Sequence, residues 1–406
     1  MLRVKVKSIA YLLAVSAIFM TGCTTVNISN IDEAVMTNDA KKESINKTVR
    51  LSAVGDIMVH SAQLSAQSNN DGTYSFDNNF QYIKNIIGDS DISLANLETT
   101  VNPQKPCSGY PSFNAPKELL STLKDTGFDV ISTINNHSLD TGYNGLISTV
   151  NEIENIGLDV VGTKSEVESK NYIIKKVKDI NIGIASFSYG DIVNNQKYLN
   201  GIKSGNANEL MNVIDVKSVQ KSFETIKKEI DLMRSEGAEF ITIMLHWGKE
   251  YEQTPNSYQK ELAQLLANEG VDLILGSHPH VVQPIEYLKS ETTDKECLVV
   301  YSMGNIISNQ REEEMGFKES ENGIIPIIDL EKTDDGKVKI VSAKYIPTWV
   351  DKYNKNGEVY YEIIPIIGNI DSVSQNKNAS VEDLQISKDN TVSLMNDNRI
   401  LLYNEK

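Results

Sequence analysis

Short runs rich in β-branched and apolar residues recur along the chain: VRLSAVG at 49–55, ISLANLE at 92–98, FDVISTINN at 128–136, NIGIASFS at 181–188, FITIMLHWG at 240–248, VDLILGSH at 271–278 and CLVVYSMGN at 297–305. Runs of this length with little polar alternation are what strands look like when both faces of a sheet are covered. Between them, apolar positions recur at helical spacing over 79–87, 116–126, 143–156, 216–236 and 256–269. Strand–helix alternation on this scale predicts an α/β fold with helices on both sides of the sheet. VKIVSAKYIPTWV and EVYYEIIPI read as late strands finishing a sheet edge. The stretches 190–215 and 308–322 are polar and weakly patterned, so surface loops are expected there, and 369–406 has no clear period.

The N-terminus follows a different pattern. Met1 to Lys7 is basic, Ser8 to Met20 is almost wholly apolar, and Met20-Thr21-Gly22-Cys23 follows. A basic region, a short apolar core and small residues before a cleavage point describe a secretory signal, and the apolar run is shorter than the roughly 20 residues of a membrane span. A cysteine directly after Thr-Gly resembles the bacterial lipobox, with Met20 where that motif usually has Leu, so Cys23 is the expected lipidation site. Residues 24–48, rich in Asn, Lys, Ser and Thr, read as a flexible tether. The expectation is an exported, extracytoplasmic lipoprotein: signal 1–23, tether 24–48, a main domain over 49–368 and a C-terminal extension over 369–406.

Composition changes the picture in one respect. The formal charge is −16, and the first 23 residues carry Arg3, Lys5 and Lys7 with no acid, so the exported part is more acidic still. Nothing on such a surface offsets repulsion from phosphate, which argues against a nucleic-acid partner. Setting Cys23 aside leaves Cys107 and Cys297, too few for a disulfide framework and without metal-type spacing.

Histidine carries the chemistry. The chain has five, and His137, His246, His278 and His280 fall where an apolar run gives way to a loop, with His60 just past the first run. Asp56, Glu98, Asn135 and Asn136 mark the same places. In open α/β sheets, sites gather outside the carboxyl ends of the strands. Imidazole and carboxylate together suit Mn, Zn, Fe or Ni and make a Lewis-acid site able to activate water. In GSHPHV, His278 and His280 alternate around Pro279, a turn able to send two imidazoles into one cavity.

The ordered motifs GDIM, ANLET, NNHSLDTG, LHWGKEY, GSHPHVVQP and YSMGN resemble the CapA family of capsule synthesis proteins over roughly 49–350. That family is associated with poly-γ-glutamate at the cell surface, and its domain is similar to calcineurin-like metallophosphoesterases, with layered sheets flanked by helices and ligands at strand C-terminal ends. The resemblance implies Asp56, Glu98, Asn136, His246, His278 and His280 as metal ligands, and His137 as general acid. Glu98 stands in the place of a bridging aspartate, one methylene longer. Met58 stands where phosphoesterases have the histidine of Asp-x-His, and His60 is the candidate substitute. Asp140 and Glu250 are candidates for orienting ligand histidines, and Asn305 for touching substrate.

The functional expectation is one or two divalent transition metal ions (Mn, Zn or Fe) in a hydrolase or transferase site acting on an anionic surface polymer, poly-γ-glutamate, or its phosphorylated precursor. Membrane synthase subunits are the implied partners. Two alternatives stand beside it: a non-catalytic accessory subunit of a polymer synthase, and a metal-dependent phosphodiesterase unrelated to capsule.

Overall fold

The first apolar run becomes β1 (Thr48–Ile57), and the second becomes β2 (Ile92–Leu97), which pairs with it in parallel. The chain then adds β3 (Val130–Ser132) and β4 (Asp159–Val161), extending the same parallel ladder. Helices α1 (Ser61–Gln67), α2 (Glu118–Thr126) and α3 (Gly142–Asn155) occupy the crossovers. A second sheet follows: β5 (Tyr172–Val177), β6 (Ile180–Val193), β7 (Phe240–His246), β8 (Leu273–Ser277), β9 (Ile285–Lys289) and β10 (Glu296–Val300), with α4 (Val219–Ser235) and α5 (Ser257–Asn268) between strands. The chain returns to the first sheet through β11 (Asn305–Ile307), β12 (Asn322–Lys332), β13 (Val338–Lys355) and β14 (Glu358–Pro365). The computed structural model describes residues 48–377 and 379–404. The signal over 1–23 with Cys23, and all of the expected tether but Thr48, lie outside the described residues.

Alternation along the strands sorts the core into layers. Val49, Leu51, Ala53, Ile92 and Leu94 of the first sheet meet Ile182, Ile184, Phe240, Met244, Leu273 and Leu275 of the second. The opposite face of the first sheet, with Val54, Ile57 and Leu97, packs on Leu64 of α1 and Leu119, Leu120 and Leu123 of α2. The opposite face of the second, with Ile241, Ile243 and Leu245, packs on Ile226 and Ile230 of α4 and Leu262 and Leu266 of α5. β7 shows the period-2 rule plainly: Phe240 and Met244 face one sheet-side neighbour, Ile241, Ile243 and Leu245 the other. The result is two layered sheets flanked by helices, as expected. Among the described residues no helix is long and apolar enough to cross a membrane.

Several sequence expectations need correction. The run 128–136 keeps only three residues of strand, because the Ser138 hydroxyl bonds to the carbonyls of Thr133 and Asn135 and takes the Asn135 N–H. Such side-chain bonds compete with the ladder and turn the backbone. The helix over 79–87 is two short pieces, Asp77–Phe80 and Lys84–Gly88. The segment 190–215 is not a surface loop: it holds the strands Gln196–Leu199 and Val213–Asp215, and it buries Leu199, Ala207, Leu210, Met211 and Val213 against Ile134 and Leu146. Within 369–406, the helix Val381–Val392 buries Leu384, and the strand Ile400–Leu402 pairs in parallel with β13.

Candidate metal centre

Strand ends from both sheets deliver the charged and imidazole side chains to one place. Asp56 comes at the end of β1, Glu98 just after β2, and Asn136 and His137 in the turn after β3. His246 ends β7, and His278 and His280 follow β8. The parallel pairing of β11 with β1 sets Asn305 opposite Asp56. All of these side chains are buried, which a charged or strongly polar group tolerates only with partners.

Donor atoms of Asp56, Glu98 and His246 lie within 4.8 Å of one another, and so do those of Glu98, His278 and His280. Glu98 belongs to both groups. Its Oε1 stands 3.6 Å from His246 Nε2 and 3.6 Å from His280 Nε2. Neither Glu98 oxygen has a hydrogen-bond partner, and His278 Nδ1 is likewise buried without one. Buried polar atoms are almost always satisfied. Burial, and then the nearby Asp56 carboxylate, push the Glu98 carboxyl well above its ordinary range. Burial also holds His246 and His278 well below theirs, so both imidazoles are neutral with lone pairs to give. A carboxylate and imidazoles left in this state fit a divalent cation of the imidazole-binding kind.

The surrounding bonds decide which atoms face inward. His280 Nδ1 is 3.1 Å from Asp56 Oδ2 and 3.1 Å from Asn305 Oδ1, both acceptors, so Nδ1 carries the proton and Nε2 presents its lone pair toward Glu98. Asn305 is pinned in turn, its amide donating to the His280 and Ser320 carbonyls and to Gln310 Oε1. His246 Nε2 lies 2.8 Å from Asn136 Oδ1, while its Nδ1 lies 2.9 Å from Ser277 Oγ. Asp140 Oδ2 accepts from His137 Nδ1 at 2.8 Å and from the Phe113 N–H at 2.6 Å, holding both.

Backbone shape contributes as well. His278 and His280 sit at φ +94° and +57°, conformations that non-glycine residues rarely adopt. Such strain is kept where surrounding structure over-determines it, commonly at functional sites. Here it brings two imidazoles, separated by Pro279, to 5.9 Å between ring centroids, both within the donor group that includes Glu98.

The structure therefore brings together Asp56, Glu98, Asn136, His137, His246, His278 and His280, with Asp140 and Asn305 behind them. His60 is not brought into either donor group. Glu250 is exposed and bonds none of the imidazoles, because it lies past the end of β7 where the chain turns outward. Asn305 reaches His280 rather than open space.

Sequence reading missed Asn96, Ser277 and Tyr189. Asn96 donates to Asp56 Oδ1 at 2.7 Å, and the Tyr189 ring lies against His278 at 4.5 Å between centroids. Asn96 was recoverable, since period 2 places it on the same side of the run as Glu98. Tyr189 carried no signal, because β6 runs past the point where the motif-bearing strands stop.

Asn305→Ala is expected to lower metal affinity about 10- to 100-fold, the usual cost of removing a group that orients a ligand histidine. Isothermal titration with Zn(II) measures it, and unchanged affinity would remove Asn305 from this role.

The family described as Bacterial capsule synthesis protein PGA_cap matches residues 50–310. The chain is 27% identical over 298 residues to the PGA biosynthesis protein CapA of Bacillus subtilis, covering 71% of this chain and 70% of that one. It is 26% identical over 280 residues to the capsule biosynthesis protein CapA of Bacillus anthracis, covering 66% of this chain and 62% of that one. Among solved structures, the NAD nucleotidase NadN of Haemophilus influenzae aligns at 13% identity with TM-score 0.42, over 89% of this chain and 65% of that one.

Proposed function

The chain belongs to the bacterial capsule synthesis protein family PGA_cap, and on that footing we propose that it is a membrane-anchored capsule or poly-γ-glutamate biosynthesis protein with a metal-dependent hydrolase or transferase site. The observation that carries this reading is Glu98: a fully buried carboxylate, shared by two donor groups, with neither oxygen bonded to protein. A divalent ion bound there supplies a Lewis acid and lowers the pKa of water.

The chain's own residues supply the rest. Asp56, Glu98, Asn136, His246, His278 and His280 would hold the ion or ions. Asp140 fixes the proton on His137 Nδ1, leaving Nε2 as the atom that gives a proton to a leaving group or takes one from an attacking one. The Tyr189 ring beside His246 and His278 covers them from solvent, and exclusion of water strengthens each electrostatic interaction inside. An anionic polymer segment, or a phosphorylated precursor, is the ligand this chemistry suits.

Elemental analysis of the purified chain, followed by phosphodiester and poly-γ-glutamate turnover assays on the same sample, tests the reading. One or two transition metal ions per chain with turnover is the expected result. Metal without turnover would favour an accessory subunit that binds the polymer or its synthase, and absence of metal would overturn the site. Anchoring is tested separately. Cys23→Ser is expected to release the protein from the membrane fraction, and its retention would point to an uncleaved anchor.

A further inference from the structure

His60 caps α1 four positions past Asp56, and the site as read above gives it no task. Its Nδ1 accepts the backbone N–H of Asn309 at 3.2 Å. Asn309 is held from behind by the Tyr361 hydroxyl, which donates to its Oδ1 at 2.5 Å. Gln63 Oε1, which accepts the His60 backbone N–H at 2.8 Å, lies 3.3 Å from the same ring nitrogen and is an acceptor only. The Gln63 amide cannot turn over, because its Nε2 donates to the Met58 carbonyl at 3.1 Å. Two neighbours thus compete to define Nδ1. The Asn309 hydrogen is fixed in place by the backbone, so a proton on Nδ1 would meet it head-on. The Asn309 contact is the shorter of the two and comes from a donor that cannot turn away, which assigns Nδ1 as a bare acceptor. A neutral imidazole with a bare Nδ1 carries its proton on Nε2.

That nitrogen has no protein partner among the described residues. A protonated Nε2 cannot ligate a metal, but it can donate. The ring packs edge-on against Phe113 at 5.1 Å, and His137 packs on the same Phe113 at 4.8 Å, so one buried side chain holds both imidazoles. Their tautomers are opposite: His137 is tied through Nδ1–H to Asp140, His60 through a bare Nδ1 to Asn309. Burial holds His60 down to about 4, which agrees with a ring that stays neutral.

We propose that His60 is a ligand-binding residue of this site, a fixed Nε2–H donor to an anionic oxygen of phosphate or carboxylate type, and not a metal ligand. The proposal rests on the metal-site reading above for the ligand's charge, but the tautomer does not depend on it.

Selective 15N-histidine labelling of the full chain at pH 7.5 gives the first test. The His60 signal, assigned by its loss in His60→Gln, is expected to report a neutral ring protonated at Nε2. A ring protonated at Nδ1, or a charged one, would overturn the proposal. The second test uses the Zn(II)-loaded chain titrated with inorganic phosphate and, separately, acetate, which tells the two acceptor types apart. His60→Gln keeps an amide donor near the Nε2 position, whereas His60→Asn places its amide near Nδ1 and loses that donor. Zinc content is expected to match the parent in both variants. Affinity for the preferred anion is expected to fall about tenfold in His60→Asn and to stay within about threefold of the parent in His60→Gln, the order expected for one hydrogen bond to a charged group. Loss of an ion from either variant, an equal fall in both, or no anion effect on the His60 resonance would overturn the role. A parent chain without zinc would instead overturn the metal reading, with the tautomer still decided by the first test.

Discussion

His246→Ala and His278→Ala are each expected to lower affinity for a transition metal by at least about 100-fold, the upper end of what even a group orienting a ligand is worth. Each imidazole belongs to a different donor group, so either loss leaves Glu98 with one fewer neutral nitrogen beside it. The carboxylates cannot stand in for the lost imidazole toward Zn or Fe, since oxygen donors suit Mg, Ca or Mn better and imidazole suits Zn and Fe. The fold itself should survive: both side chains stand at strand ends, outside the apolar layers between and beside the sheets. Removing an imidazole also relieves a buried polar group, one of whose nitrogens in His278 is unsatisfied. The readouts are elemental analysis and thermal unfolding with and without Zn(II). Where free metal is about 100 times the parent's dissociation constant, binding adds about 2.7 kcal/mol to its stability, and that increment should fall to about 0.4 kcal/mol or less in both variants. Either variant that kept the parent's affinity would strike its histidine from the ligand set.

The second large effect concerns a residue with no side chain. Gly276→Ala is expected to destabilise the protein by about 3 kcal/mol or more, the upper range for overpacking a filled interior. A Cβ at Gly276 would stand 1.9 Å from the Tyr301 carbonyl oxygen and 2.7 Å from Trp247 Nε1. Those two atoms are bonded to each other at 2.9 Å, and both belong to buried residues, so neither can yield without losing that bond. The same stretch of backbone accepts the Met303 N–H at Gly276, which leads the chain toward Asn305. Misplacing it therefore disturbs His278 on one side and the support of His280 on the other. Denaturant unfolding measures the loss. A change below about 1 kcal/mol would mean that the β8 backbone moves aside, contrary to the close approach seen here.

The two predictions differ in how far the residues alone anticipated them. The ends of β1, β2, β7 and β8 were legible because each is a short apolar run closed by a group with lone pairs, and strand ends in such sheets are where sites form. Period and propensity are local properties, so a linear reading reaches them. The lengths of the elements were less legible. The run at 128–136 looked like one strand, yet three residues of strand and a hydrogen-bonded turn are what formed, because Ser138 offered the backbone another partner. The segment 190–215 looked like loop because its apolar residues are sparse. They are buried all the same, gathered by contacts with Ile134 and Leu146 from distant parts of the chain.

For the site, residue type and position along the chain were enough to nominate Asp56, Glu98, Asn136, His137, His246, His278 and His280. They also sufficed for an α/β fold with helices on both sides of a sheet, whereas the layering of two sheets was implied only by the resemblance to the family. The orientation of each ring needed the tertiary structure. Whether an imidazole offers Nδ1 or Nε2 depends on what the other nitrogen touches: Asn305 and Asp56 for His280, Asp140 for His137, Asn309 for His60. Asn309 is 249 residues from His60 and Asn305 is 25 from His280, and neither separation is periodic. Hydrogen-bond partners across a fold are set by how sheets stack and where loops cross, which no local pattern encodes. Local chemistry thus chose the atoms able to hold a charge, and packing chose which of them face one another.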